Sequence, residues 1–510
     1  MLNRVRKALT AMLWGHVFAA VGNLVLVPLY LTYWSPARYG EWLALLATAG
    51  YLSVLDLGLN QAATNRLTQA FSRGDLEGYA RCQHSVFASY LAVAGVAGAL
   101  LAAALWLLPL PLWLGLQETS PHEAIWVMLL LGLTALWGMP AGFMWSVYRT
   151  TGQASKSQWM LNAQQLIGLG WIMVALVFGG GMISVAMGPF AAVGAVTLYV
   201  FWDLRTRRPT LVPALERARL AVLRSLIQPS FRFGLLTASN VITMHGSVLI
   251  IATMLGGTAV AVFVTARTLV SLIRLLGGSL LNAMWPEITD MQARGERDRL
   301  RQWHRLMMAS STALCLGVAA ALWYEAPEII TVWTRGKLQP DPILLRLLLI
   351  LFVFQSTWLV SFLFPAAADR HERLSWLYAA SALIGIAMTM LLIDRLGTWA
   401  VPVGLCIGEA TICYHWVIRE TCRMVGEPYG SFSLKLWSGV LAAGTLALIT
   451  GWVAHVMIPG PPVVRWLGVG SITLATTVAV YWNIGVTPED RARLLIRLRP
   501  AVMVEGDRAS

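Results

Sequence analysis

What this 510-residue sequence has least of is charge. Asp, Glu, Lys and Arg make up 12% of it, against 57% hydrophobic residues. Soluble domains carry about twice that charge, and so little cannot solvate a surface. That excludes soluble enzymes and binding modules and predicts an all-α polytopic membrane protein. Cysteine is also scarce. Cys82, Cys315, Cys406, Cys413 and Cys422 show no metal-ligand spacing and no disulfide framework, so inert thiols are expected. No Walker-type phosphate loop, Ser/His/Asp set or metal cluster occurs. No catalytic residue, metal or cofactor is therefore expected. A cleavable leader is not expected either: Arg4, Arg6 and Lys7 run into an apolar stretch too long for a signal peptide, with no small-residue cleavage site after it.

What is present is a series of apolar segments of bilayer-spanning length. They cover 9–32, 40–63, 85–108, 124–148, 159–179, 182–203, 232–255, 258–283, 307–324, 343–366, 375–393, 398–418, 436–458 and 464–484, about 14 transmembrane helices. Placing the N-terminus inside puts thirty Lys and Arg in cytoplasmic segments. Five fall outside: Arg38, Arg335, Lys337, Arg395 and Arg465. That asymmetry predicts an N-in, C-in chain. The net charge of +13 is then topogenic, with a share for anionic lipid headgroups, and does not call for nucleic acid as a partner. Many of the 23 Trp residues, among them Trp34, Trp113, Trp126, Trp303, Trp399 and Trp482, end apolar runs, where an indole suits the membrane interface. The outer loops are short except 109–123 and 325–342. They leave no room for the large outer domain of a glycan polymerase or ligase.

The stretch that organises the chain is Tyr39–Arg81. It holds an apolar run with a polar stripe, Ser53, Asp56, Asn60 and Thr64, and closes on Arg73-Gly74-Asp75. A degraded copy returns over 280–302, with Thr289 for Thr68 and Arg294-Gly295-Glu296 for the triplet, and Trp376 answers Trp159. The same hairpin in the same orientation predicts a parallel repeat. The expected domains are a six-helix lobe over 1–208, a cytoplasmic linker over 209–231 with an interfacial amphipathic helix, and a second six-helix lobe over 232–424. Two additional helices over 425–486 and a cytoplasmic tail over 487–510 complete the chain.

Charges inside a bilayer are costly and default to function. Arg267 and Arg274 lie seven apart on one helix with Ser271 between them, a cationic strip suited to an anion such as pyrophosphate. The bland reading is a structural ion pair, or snorkelling for Arg274, and snorkelling is the reading for Arg346. Asp56 can pair with a cavity Arg, bind a coupling ion or lock helices; Glu409, with His415 nearby, poses the same question. The pairs His16 and Asn23, and Asn240 and Ser247, are each seven apart and are expected on a cavity or lobe face, with interhelical hydrogen bonding the plain alternative. His245 reads as a satisfied buried histidine. Pro28 and Pro140 lie within spans, where bendable helices suit alternating access.

LVLVPLYLTYWSPARYGEWLALLATAGYLSVLDLGLNQAATNRLTQAFSRGD resembles the opening of polysaccharide biosynthesis transporters, the O-antigen-type lipid-linked oligosaccharide flippases of the multidrug/oligosaccharidyl-lipid/polysaccharide (MOP) exporter superfamily. The match is strongest over residues 1–85 and extends as topology and loop punctuation over the rest. The resemblance implies a two-lobed alternating-access carrier that moves an undecaprenyl-pyrophosphate-linked oligosaccharide across the bacterial cytoplasmic (inner) membrane. It places Arg267 and Arg274 in a cationic cavity, with Arg66 or Arg232 at its cytoplasmic mouth, and implies partners among membrane lipids, a polymerase and other glycan assembly proteins. The first helix has His16 and Asn23 but no interior Arg, a departure from the lipid II flippases that lowers lipid II as substrate. The alternatives are a multidrug or cation antiporter of the same superfamily, for which an acidic aromatic cavity and twelve helices are expected, and a non-transporting scaffold of a glycan assembly complex.

Overall fold

A computed structural model describes residues 2–368 and 371–484; for 2–6, 8, 9, 272–283, 285, 286, 371, 372 and 484 it describes the backbone path only. The described chain is almost wholly helical. The helices in order are α1 Leu2–Tyr33, α2 Pro36–Gly50, α3 Leu59–Ser72, α4 Leu76–Leu107, α5 Leu110–Trp113, α6 Pro121–Thr150, α7 Ala154–Val177, α8 Met182–Arg207, α9 Leu220–Val241, α10 Ser247–Leu255, α11 Gly257–Ala293, α12 Arg297–Trp333, α13 Pro342–Ala367, α14 His371–Leu396, α15 Ala400–Gly408, α16 His415–Val425, α17 Tyr429–Met457 and α18 Pro462–Ile484. Among the described residues 11 helical stretches are long and apolar enough to cross a membrane, or 12 with the bent pair α2–α3. Their outward side chains are apolar: Leu107 of α4 is 80% exposed and Leu434 of α17 is 73% exposed. Rows of exposed leucine make sense only against lipid.

The chain divides into two compact units. The first holds Met1–Leu269, Ile330–Leu344 and Ser375–Gly408; the second holds Val270–Ile329, Leu345–Leu374 and Glu409–Ser510. In the first unit α7 packs on α1 and α8, α6 on α4 and α8, α3 on α4 and α9, and α2 on α6 and α10. Among the described residues its core includes two clusters. One gathers Tyr30, Trp34, Tyr39 and Trp42, with ring centroids 5.1 Å apart for Tyr30–Trp34 and 5.2 Å for Tyr30–Tyr39. Trp34 is therefore a core residue and not a headgroup anchor: stacking among four aromatics outbids the interface. The other part packs Tyr79, Tyr90, Phe143 and Tyr148. In the second unit α17 lies along α18, and α16 meets α17.

Three sequence expectations change. The linker carries no separate interfacial helix. Residues 212–219 are irregular and α9 runs unbroken from Leu220 to Val241. Buried Leu226, Ser230 and Gly234 recur at every fourth position through the expected start of the seventh span, so one packed face carries the helix on. The loop expected over 325–342 is shorter than that because α12 continues to Trp333. The second span is not one helix, as described below. The predicted cytoplasmic tail lies outside the described residues.

The loop 109–123 is tied down by a residue that reads as unremarkable in sequence. Glu41, 2% exposed, accepts from the backbone N–H of Gln117, Glu118 and Thr119 at 2.5, 2.9 and 2.8 Å and from the Thr119 hydroxyl at 2.5 Å. Beside it Arg38 pairs with Glu123 at 3.0 Å.

Candidate functional site

The polar residues of the second span stand at a break. A 3₁₀ turn at Tyr51–Asp56 ends α2, Leu57 and Gly58 take left-handed backbone (φ 47° and 73°), and α3 restarts at Leu59 with its axis bent by 41°. The break thus takes Ser53 out of the stripe the spacing predicts, while Asp56, Asn60 and Thr64 remain linked. Ser53 turns onto its own backbone, donating to the Gly50 carbonyl at 2.7 Å. Asp56 accepts at Oδ1 from the buried Tyr90 hydroxyl and, at 3.4 Å, from the Asn60 N–H. Thr64 donates to Asn60 Oδ1 at 3.3 Å and accepts from Arg149 at 3.1 Å. Tyr90 and Arg149 are the members that sequence reasoning missed. Tyr90 sits in an apolar run, and Arg149 reads as a topogenic charge at a helix end.

Gly58 makes the break possible. A Cβ there would lie 2.4 Å from the Gly234 nitrogen and 2.5 Å from the Ser230 carbonyl oxygen of α9. Backbone meets backbone at the break, as at the discontinuous helices where transporters hold ions.

A second irregularity sits between α9 and α10, where Ile242–Gly246 form a π turn. Such turns recur at functional sites. Arg267 of α11 donates to the Met244 carbonyl at 2.8 Å and to the Ser247 hydroxyl at 3.4 Å, with its guanidinium 5.2 Å from the Phe263 ring centroid. Both of these acceptors, a carbonyl and a hydroxyl, are neutral. The extra residue of the π turn also separates Asn240 from Ser247: Asn240 is exposed and Ser247 buried, so the expected shared face is absent. His245 packs against α2, where a Cβ on Gly50 would come within 2.6 Å of its ring.

Of the other expected positions, Asn23 and Ser271 are exposed, while His16 and Arg232 are half-buried. The side chain of Arg274 lies outside the described residues. In the second unit Glu409 opens another π turn, Glu409–Tyr414. Its Oε1 accepts from Gln355 at 2.7 Å and its Oε2 from the Trp358 indole at 3.0 Å. His415, near it in sequence, bonds Tyr429 at 2.5 Å. Arg346 stacks on Trp323, 5.4 Å from its ring centroid. Arg66 meets Ser225 of α9 at 2.5 Å and lines a 570 Å³ pocket with Arg73, Arg81 and Arg219.

Comparison with solved structures decides the fold. A structure of the lipid II flippase MurJ in an inward closed conformation superposes with a TM-score of 0.72 and 11% identity, over 93% of this chain and 98% of that one. An inward-facing multidrug resistance MATE family transporter of the MOP superfamily gives a TM-score of 0.67 and 16% identity, over 79% of this chain and 95% of that one. The chain has the MOP superfamily fold. A MATE structure in complex with MaL6 gives 0.58 and 15% identity, over 82% of this chain and 96% of that one. No protein-family model and no curated protein matches the chain. At these identities the MOP likeness is one of fold.

Proposed function

We propose that this chain is a flippase that moves an undecaprenyl-pyrophosphate-linked oligosaccharide from the cytoplasmic to the outer leaflet of a bacterial inner membrane. The observation that carries the reading is the extent of the flippase likeness. A superposition over 93% of 510 residues leaves out fewer residues than α17 and α18 together contain, so it reaches into the two helices beyond the twelve of a drug exporter. Those helices would shape a groove for the lipid tail. Two further observations support fourteen crossings. Gly404 and Gly408 approach Gly385 closely, so α14 and α15 fold back on each other and the 53-residue stretch Arg373–Val425 crosses twice. At about 1.5 Å per residue, 37-residue α11 is also long enough to cross. The N-in, C-in orientation, the lobes 1–208 and 232–424 and their parallel repeat belong to the same proposal.

In this mechanism Arg267 and Arg274 hold the pyrophosphate, Arg66 and Arg232 meet it at the cytoplasmic mouth, and polar side chains including His16, Asn23, Asn60, Asn240 and Ser271 solvate the sugars. The Met244 and Ser247 contacts support the role of Arg267, since they fix where its guanidinium lies. Of the two coupling candidates Asp56 is preferred. It stands at a broken helix beside Tyr90, whereas both oxygens of Glu409 are engaged by N–H donors from α13. A second reading, a multidrug or cation antiporter, is favoured by the MATE structures, which share slightly more sequence.

The test is deletion in the native host, followed by extraction of lipid-linked oligosaccharides and an assay of the leaflet that holds them. Accumulation on the cytoplasmic side, relieved by wild type and not by Arg267→Ala, is expected. Normal lipid-linked sugars with reduced dye or drug efflux would replace this reading with the antiporter.

A further inference from the structure

We propose that the pocket bounded by Arg66, Arg73, Arg81 and Arg219 is a binding site for a phosphoryl anion at the basic face of the first unit, supplied as the headgroup of an anionic membrane lipid or as free pyrophosphate. This goes beyond transport, since the site can be filled without any translocation.

Three helix faces converge on it. Arg66, Gln69, Ala70 and Arg73 recur at three- and four-residue steps on α3 and just past its end. Gly78, Arg81 and Cys82 do so on α4, and Ala221, Val222 and Ser225 on α9. The resulting cavity of about 570 Å³ is ample for a diphosphate or a phospholipid headgroup.

The walls are fixed. Gln83 of α4 donates to the Leu211 carbonyl at 2.8 Å, and the Arg219 N–H donates to Ser85 at 2.9 Å, so the irregular segment before α9 is pinned to α4 at both ends. Arg66 is held by Ser225 at 2.5 Å. Cys82, 1% exposed, gives the cavity a weakly polar floor.

The charge is lopsided. Asp75 is the acidic residue of the lining, and its carboxylate is engaged in capping α4, accepting from the Gly78 N–H at 2.7 Å. Glu77 offers Arg81 a partner at 3.5 Å from an exposed rim. Four guanidinium groups around one cavity repel each other, and a phosphoryl anion both relieves that repulsion and matches their paired N–H geometry. The level in the membrane also suits a headgroup. At about 1.5 Å per residue, 32-residue α4 is about 48 Å long, against a hydrocarbon core of about 30 Å, so its first turns reach the phosphate layer.

The test uses the full-length protein and two probes. Inorganic pyrophosphate is titrated calorimetrically into protein in detergent. Retention of phosphatidylglycerol is read by native mass spectrometry after release from bilayer discs. The variant is Arg73→Gln with Arg219→Gln, and the control is the exposed Arg205→Gln outside the pocket. The double variant is expected to weaken binding of at least one probe by about tenfold or more, and the control by less than about twofold. Ser225→Ala, which keeps every charge, is expected to weaken the same probe by a smaller factor. Loss confined to phosphatidylglycerol assigns the site to a lipid headgroup, and loss for pyrophosphate assigns it to a soluble phosphate. Equal losses in variant and control, or no binding of either probe, would overturn the proposal and leave the arginines as topogenic charge. Failure of the flippase reading would show in the leaflet assay and leave these binding results untouched.

Discussion

Replacing Gly58 by Ala probes the broken second span directly, and the chain supplies its own control. Gly58 and Gly74 share nearly the same backbone, φ 73° and 75°. They differ in surroundings: a Cβ at Gly58 meets backbone atoms at 2.4 and 2.5 Å, whereas a Cβ at Gly74 has nothing within 4 Å. Left-handed backbone costs an L-residue about 1–2 kcal/mol, and both variants bear that cost. Only Gly58→Ala must also push α9 away or straighten the break. Overpacking of this kind costs typically about 1–3 kcal/mol, and the opposing atoms here are main chain with no rotamer to yield. The expected losses are therefore about 1–2 kcal/mol for Gly74→Ala and about 2–5 kcal/mol for Gly58→Ala. The assay is unfolding of the purified variants in mixed micelles, compared with complementation in the native host. If the two variants agree within about 0.5 kcal/mol, the tight crossing of α3 on α9 is refuted.

Glu41→Ala removes the acceptor of four donors and should lower the protection of the amides at 117–119 by about two orders of magnitude in hydrogen exchange, a local loss of about 3 kcal/mol; unchanged exchange would refute the tie. Tyr90→Phe removes a donor to Asp56 and should impair transport while costing only about 1 kcal/mol of stability, read by paired complementation and unfolding assays. Glu409→Gln keeps one acceptor and places its amide before an N–H donor, so it should cost about 1–3 kcal/mol and leave ion coupling intact. Loss of coupling in a stable Glu409→Gln protein would move the coupling role from Asp56 to Glu409.

The membrane class was legible because a bilayer demands about 20 apolar residues per crossing, a one-dimensional property that composition and segment length report. The positions of α17 and α18 were legible for the same reason. The fine course of the second span was not. A window over 40–63 averages hydropathy and cannot register that Leu57, a leucine with no turn-forming chemistry of its own, adopts left-handed backbone. The π turn at Ile242–Gly246 was hidden as well: it shifts the face of every later side chain by a fraction of a turn, so the seven-residue spacing of Asn240 and Ser247 misled.

The sequence by itself determined that this is a many-helix membrane protein, because burying backbone in lipid leaves a chain this apolar no other course. It also singled out Asp56, Arg267 and Glu409, since a charged side chain in an apolar run is conspicuous without any structure. Only the tertiary structure decided what each of them touches. Partners far apart in the chain set that: Tyr90 for Asp56, Gln355 and Trp358 for Glu409, and the Met244 carbonyl for Arg267. The same holds for Arg66, Arg73, Arg81 and Arg219. In sequence they are four positive charges on one side of a membrane; three packed helices turn them into the wall of one cavity.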